Sequence, residues 1–211
     1  MKAVVARSIL AAAFSIVGVA CGAEESGSPA SASSSASAPP EIGGPAFDEM
    51  AALHRPSASD DALPSELADI EVLVKDGSQA SSHIGELRLE DSRVLLRNVG
   101  SREAGFFAVP TDSGVVCFTG LGVGCVSDFS KYPGGIHIGF GDLSGMQVVR
   151  GLIPDDVVDI AVVIDGSVKP ALVQNNAYFY EVEGTWPEAL VATYQNGAEE
   201  TVEIPAIPGR S

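Results

Sequence analysis

Apolar and polar residues alternate most regularly in the last third of the chain. Val158, Ile160, Val162 and Ile164 take every second position before Asp165-Gly166, and a period of two lays one face of an extended strand against a core. Past that turn, Ala171-Leu172-Val173 reads as a strand, and Asn175-Asn176 leads into another at Tyr178-Phe179-Tyr180. Asn196-Gly197 predicts a two-residue hairpin turn. In type I′ register that turn sets Val191 opposite Val202 and Ala189 opposite Ile204, one apolar face, with Glu203 opposite Leu190 on the outer face.

The same rhythm runs earlier. Strands are predicted at Ile70–Val74, Arg93–Arg97, Gly105–Val109 and Val115–Thr119, then at Gly135–Phe140 and Met146–Arg150, with turn residues between most of them. Short apolar runs punctuated in this way argue for antiparallel pairing. One helix is predicted near residue 46, where Phe47, Met50, Ala51 and His54 share a helical face and Pro56 stops the run. The expected fold is therefore mainly β: an antiparallel β-sandwich or barrel-like domain with one short N-terminal helix.

Upstream of this domain the chain changes character. Lys2 and Arg7 precede an apolar run of about a dozen residues that ends in small side chains, the layout of a secretory leader. The run falls short of the roughly 18 residues that span a bilayer. Residues 22–45 are rich in Ser, Ala, Gly and Pro, cannot bury a core, and read as a tether with a root-mean-square span of roughly 25 to 30 Å. Three segments follow: a leader over 1–20, Cys21 with its tether over 21–45, and a single β-rich domain over 46–211. Val17-Gly18-Val19-Ala20-Cys21 resembles the lipobox of bacterial lipoproteins, departing from it at Gly18, where Leu is usual. The resemblance implies that Cys21 is acylated and becomes the new N-terminus, which makes the membrane a partner through the lipid. Cleavage near Ala20 or Ala23, releasing a secreted protein, is the alternative.

Charge narrows the choice of partner. The chain holds 12 Lys and Arg against 28 Asp and Glu, a formal net charge of −16. Loss of Lys2 and Arg7 with the leader makes the mature chain more negative still. Phosphate backbones attract basic surfaces, so nucleic acid is not an expected partner. Self-repulsion that keeps the protein soluble accounts for the acidity without any partner.

Of the three cysteines, Cys21 is assigned to lipid, which leaves Cys117 and Cys125 to pair across a glycine-rich turn in an oxidising compartment. No cofactor is expected: there is no phosphate loop or dinucleotide fingerprint, and His137 alone does not make a metal set with these cysteines. Gly141-Asp142-Leu143-Ser144-Gly145 faintly resembles the Gly-Asp-Ser-Gly of trypsin-like proteases, with Leu143 interposed. A nucleophilic serine needs a base and an orienting acid within reach; His54, His83 and His137 are the candidate bases, and a turn explains the pentapeptide better. Asp60-Asp61 and Asp155-Asp156 lack the ordered ligand series of a calcium loop and read as solvated turn acids or helix-capping ones. Trp186 and Tyr178-Phe179-Tyr180 offer aromatic side chains for a ligand groove, part of the run pointing outward from a two-faced strand, but an ordinary core-plus-rim strand explains them better.

Short patterns at His54-Arg55-Pro56, Asp61-Ala62-Leu63-Pro64, Phe107–Pro110, Val116-Cys117 with Cys125, Gly151–Val157 and Asn176–Phe179 resemble secreted or lipid-anchored proteins of high-GC actinobacteria. That resemblance implies export and no particular activity. The expectation is a non-catalytic, lipid-tethered envelope domain that binds a protein, a polymer or a small ligand. The rival is an extracytoplasmic hydrolase whose His137 meets Ser144 or a carboxylate only in the fold.

Overall fold

The computed structural model describes residues 42–67, 70, 84–101, 103–143 and 145–205. Two helical turns, α1 (Pro45–Asp48) and α2 (Ala51–His54), open the domain. Among the described residues twelve strands follow: β1 (Arg93–Val99), β2 (Ala104–Pro110), β3 (Val116–Thr119), β4 (Gly124–Val126), β5 (Gly139–Leu143), β6 (Met146–Leu152), β7 (Val157–Ile164), β8 (Ser167–Pro170), β9 (Leu172–Gln174), β10 (Ala177–Glu181), β11 (Ala189–Tyr194) and β12 (Glu199–Glu203). They form three antiparallel four-stranded sheets, ordered β1-β2-β3-β4, β5-β6-β10-β9 and β12-β11-β7-β8. The fold is mainly β and sandwich-like, with three sheets where two would make a simple sandwich.

The second sheet lies between two cores. Ala177 and Phe179 of β10, with Met146, Val148 and Leu152 of β6, meet Leu96, Phe106, Ala108, Val116 and Phe118 of the first sheet. The alternate residues Tyr178 and Val149 meet Ile160, Val162, Leu190, Ala192 and Val202 of the third. A strand with both faces covered carries a continuous apolar run in place of alternation, and β10 does so through Ala177, Tyr178 and Phe179, all buried. The first sheet is likewise covered on its far side, where Val109, Val115 and Cys117 pack with Ile70, Ile84 and Leu63. Cys117 stands directly opposite Cys125 in β3–β4, their sulfurs 2.08 Å apart.

Several elements depart from the sequence pattern. The helix predicted from residue 46 is broken: Met50 adopts φ −123°, ψ 93° between α1 and α2. Met50 has no side-chain acceptor to cap α2, and the freed amides find acceptors far along the chain. Asp155 Oδ1 accepts from Ala51 N (2.8 Å) and Asn176 Oδ1 from Ala52 N (2.9 Å). Ala51 and His54, placed on the inner face by a single helix, are therefore exposed, while Ala46, Met50, Ala52 and Leu53 are buried. The strand predicted from Gly135 begins only at Gly139, because Pro133–Gly135 forms a 3-10 turn. The expected strand at Ile70–Val74 lies outside the described residues apart from Ile70, which is buried.

The β11–β12 register is one residue away from the expected one. Tyr194 N donates to Ala198 O (2.9 Å), so three residues, Gln195 to Gly197, make the turn. Only Gly197 takes a left-handed φ, 80°, whereas a type I′ turn requires one at both central positions; a three-residue loop with glycine in that conformation is the next commonest hairpin. Leu190 consequently faces Val202, and Ala189 faces Glu203. A one-residue slip exchanges faces, and Leu190, expected outside, has no exposed surface. The two-residue type I′ turns lie elsewhere, at Asp165-Gly166 (φ 50° and 68°) and Asn175-Asn176 (φ 49° and 62°).

Asp61 fastens the N-terminal segment to β1. Only 1% exposed, it accepts both guanidinium arms of Arg55, as well as the amides of Ala58 (2.8 Å) and Val94 (3.0 Å). Burial alone would raise its carboxyl, but the Arg55 bond and these amides outweigh it and hold Asp61 well below the usual carboxylate range. Its stabilisation is complete above the unfolded value of about 3.9 and is lost as the pH falls further. Removing one partner of a buried pair typically costs about 3 to 5 kcal/mol. Asp61→Asn is accordingly expected to lower the urea-unfolding free energy by about 3 kcal/mol at pH 7, a gap from the parent that narrows progressively as the pH falls below about 3.9. Replacing Cys117 and Cys125 together by Ser should cost about 2 to 3 kcal/mol in the same assay, and non-reducing peptide mapping should recover the two cysteines in one linked fragment.

Candidate functional site

One charge interrupts the apolar face that β6 turns to the first sheet. Along β6, Met146, Val148 and Leu152 point into that core, and Arg150 occupies the intervening position of the same alternation. In the sheet it lies between Gly139 of β5 and Phe179 of β10. Arg150 is 7% exposed. Its Nε and Nη1 are buried without a hydrogen-bond partner, and so is Nδ1 of His137.

His137 belongs to the same patch. The β5–β6 pairing, extended by the bond from His137 N to Leu152 O (3.1 Å), sets His137 and Gly139 on one face of their strand, diagonal to Arg150. The imidazole lies 4.9 Å from the Phe118 ring and 5.3 Å from that of Tyr132. Tyr178 Oη, reaching from the other face, donates to the His137 carbonyl at 3.3 Å. From the first sheet, Gly122 brings bare main chain onto the guanidinium: a Cβ built there would fall 1.8 Å from Nη2, and one on Gly139 would fall 2.8 Å from Nη1. Only residues without side chains fit at these two approaches.

Burial of Arg93, 8% exposed, supplies the contrast. Its guanidinium donates to the carbonyls of Asp91 (2.9 Å), Ser92 (2.8 Å) and Arg55 (3.3 Å). A buried cation ringed by acceptors is a structural element; Arg150 has no such ring. Electrostatically the patch is cationic and poor in acceptors. Burial, and then the Arg150 charge, push the His137 imidazole from 6.5 down to about 4, so His137 is neutral at physiological pH beside a fixed positive charge.

The residues singled out from sequence are distributed as follows. Cys21, His83 and Ser144 lie outside the described residues. Asp142 Oδ1 accepts from Gly145 N (2.6 Å) and closes the turn between β5 and β6. His54 bonds the Phe47 carbonyl (3.1 Å), on the α1–α2 segment. Asp60 pairs with Arg97 (2.6 Å). Asp155 caps α2, one of the roles expected for it, whereas Asp61 is neither a solvated turn acid nor a helix cap but a buried ion-pair acid. Tyr178 and Phe179 are core residues on the two covered faces of β10 and Tyr180 is half-buried, a core-plus-rim strand and not an outward aromatic surface. Trp186 packs near Phe140, ring centres 6.5 Å apart.

Partial burial and the charges of Asp128, Asp156, Asp155 and Asp48 raise the Glu49 carboxyl. Even so, no three His, Cys, Asp or Glu among the described residues come together so as to hold a metal ion. No helix among them is long and apolar enough to cross a membrane.

Sequence reasoning passed over Arg150, although its signal was present. An arginine at the position a core residue would take, within Val148-Val149-Arg150-Gly151-Leu152-Ile153, has to be buried if the strand is covered on both sides. The unfolded chain protonates His137 near 6.5 while the folded protein resists until about 4, so stability should decline as pH falls through that window and level off below it. An NMR titration should place the His137 midpoint near 4, and His137→Phe should flatten the dependence of the thermal midpoint on pH between these limits. The chain matches no protein-family model, no curated protein and no solved structure.

Proposed function

We propose that the protein is a lipid-tethered, extracytoplasmic binding domain without catalytic activity of its own. The surroundings of His137 are the observation that carries this reading. A general base must lie within hydrogen-bond reach of the proton it removes and requires an acid or carbonyl to orient it. Among the described residues His137 Nδ1 has no such partner; its ring rests on Phe118 and Tyr132, and burial, with the adjacent arginine second, makes it a weak base. This patch is organised to present positive charge and an uncharged imidazole, which suits recognition.

The tether and the anchor complete the reading. Cys21 follows a lipobox-like segment, and the polar stretch that separates it from α1 gives the domain reach above a membrane surface. Acyl chains stabilise membrane attachment by about 0.8 kcal/mol per buried methylene, so more than one chain holds firmly. The domain is strongly acidic and anionic headgroups repel it, which leaves retention to the lipid. Cys21→Ala in the full chain is expected to move the protein from the membrane fraction to the medium and to abolish acyl labelling. Unchanged membrane association in that variant would overturn the lipoprotein reading.

A further inference from the structure

We propose that Arg150 anchors a site for a small oxyanionic ligand, a carboxylate, sulfate or phosphate group received between the first and second sheets, with His137 as its second donor. The inference rests on reading the domain as a binder and is independent of the lipid anchor.

Three observations lead there. The first is the isolation of the charge. An ionised group out of water costs several kcal/mol unless it is paired, and Met, Val and Leu fill the neighbouring positions on the same face of β6. The chain carries 28 acidic residues, yet none of the described ones pairs with Arg150, while Arg55, Arg88 and Arg97 each have a carboxylate. An arginine kept clear of acids in so acidic a protein retains its capacity for an acceptor from outside.

The second is what covers it. Gly139 and Gly122 approach the guanidinium with main chain only. Gly122 belongs to the turn that joins β3 to β4, where Val123 is 36% exposed while Leu121 is fully buried in the core between the first and second sheets. Displacing that turn lifts bare main chain off the guanidinium and draws Leu121 from the core, so ligand entry and partial opening of the joint are coupled. The planar guanidinium is suited to forked hydrogen bonding of carboxylate or phosphate oxygens.

The third is the companion donor. His137 stands diagonal to Arg150 on the same face, with Nδ1 unpaired. A neutral imidazole carries one N–H, which an oxyanion accepts without any change in the charge of the histidine. The net charge of −16 repels extended polyanions, and a single buried arginine is matched to one anionic group. The ligand class is thus a small molecule bearing one oxyanion.

The test titrates the full-length protein in detergent with sodium acetate, sulfate and phosphate in turn, at constant ionic strength set with chloride. It follows the thermal midpoint together with the Arg150 Nε–H and His137 ring resonances. At least one anion should raise the midpoint saturably and shift both resonances; the anion that does so separates carboxylate from sulfate or phosphate recognition. Arg150→Met should weaken that binding at least about tenfold, the loss expected of a charge-assisted hydrogen-bonding pair. Its midpoint without anion should equal or exceed the parent's, because an apolar residue in an apolar layer removes an unpaired charge. His137→Gln, which keeps a neutral donor, should bind better than His137→Phe. The proposal is overturned if no anion moves either resonance up to about 100 mM, a range that captures millimolar affinity, or if Arg150→Met responds to anion as the parent does. Should Arg150→Met fail to fold, the resonances of the parent decide the matter alone. Cys21 labelling is unaffected by every one of these outcomes, so failure here and failure of the anchor are read separately.

Discussion

Burial of both faces of β6 and β10 is the constraint on which the other layers depend. A strand flanked by two cores needs apolar side chains on both sides, and Ala177, Tyr178 and Phe179 supply them in succession. The first and third sheets each pack an apolar face against this pair of strands, from opposite sides. The same constraint gives Arg150 its character. On a sheet with one wet face an arginine at that position would turn to water; here both directions lead into protein, and the guanidinium is enclosed.

Polar side chains fasten the N-terminal segment to this stack. Asp155 and Asn176, in the turns that follow β6 and β9, cap α2 from opposite sides of a long sequence separation, and Asn176 also donates to Asp155 (2.8 Å). Asp61 takes the guanidinium of Arg55 and ties both to the main chain of β1. The short runs that contain Arg55, Asp61, Asp155 and Asn176 therefore meet in one seam. Their common element is attachment of the leading segment to the sheets, a structural task that fits many ligands and prescribes none.

The β-rich class, most strand positions and the Cys117–Cys125 pair were legible in the sequence because alternation, turn residues and cysteine spacing are local signals. What failed was also local in origin. Ala189-Leu190-Val191-Ala192 is apolar on both faces, so either register satisfied the pattern, and the true one was set by the conformation of Gln195–Gly197. The break at Met50 could not be seen because its caps arrive from residues more than a hundred positions away. Arg150 and His137 were visible as residues but not as a patch. Their proximity follows from the β5–β6 pairing, and the lack of any acceptor depends on what the first sheet places over them.

The stretch from Ser167 to Gln174 has a further consequence. It pairs with β7 as β8, passes Ala171, whose amide donates to Ile160 O (2.9 Å), and continues as β9 against β10. One uninterrupted piece of chain is thus stitched into two sheets, and the second and third layers cannot separate while it remains paired. The first layer shares no strand with the second. It is joined there by the apolar core and by side-chain bridges such as Asn175 to the Leu95 carbonyl (3.1 Å) and Ser101 to Glu181 (2.7 Å). Mechanical compliance is therefore unequal across the domain: two layers behave as one stiff plate, and the softer joint is the one that holds Arg150.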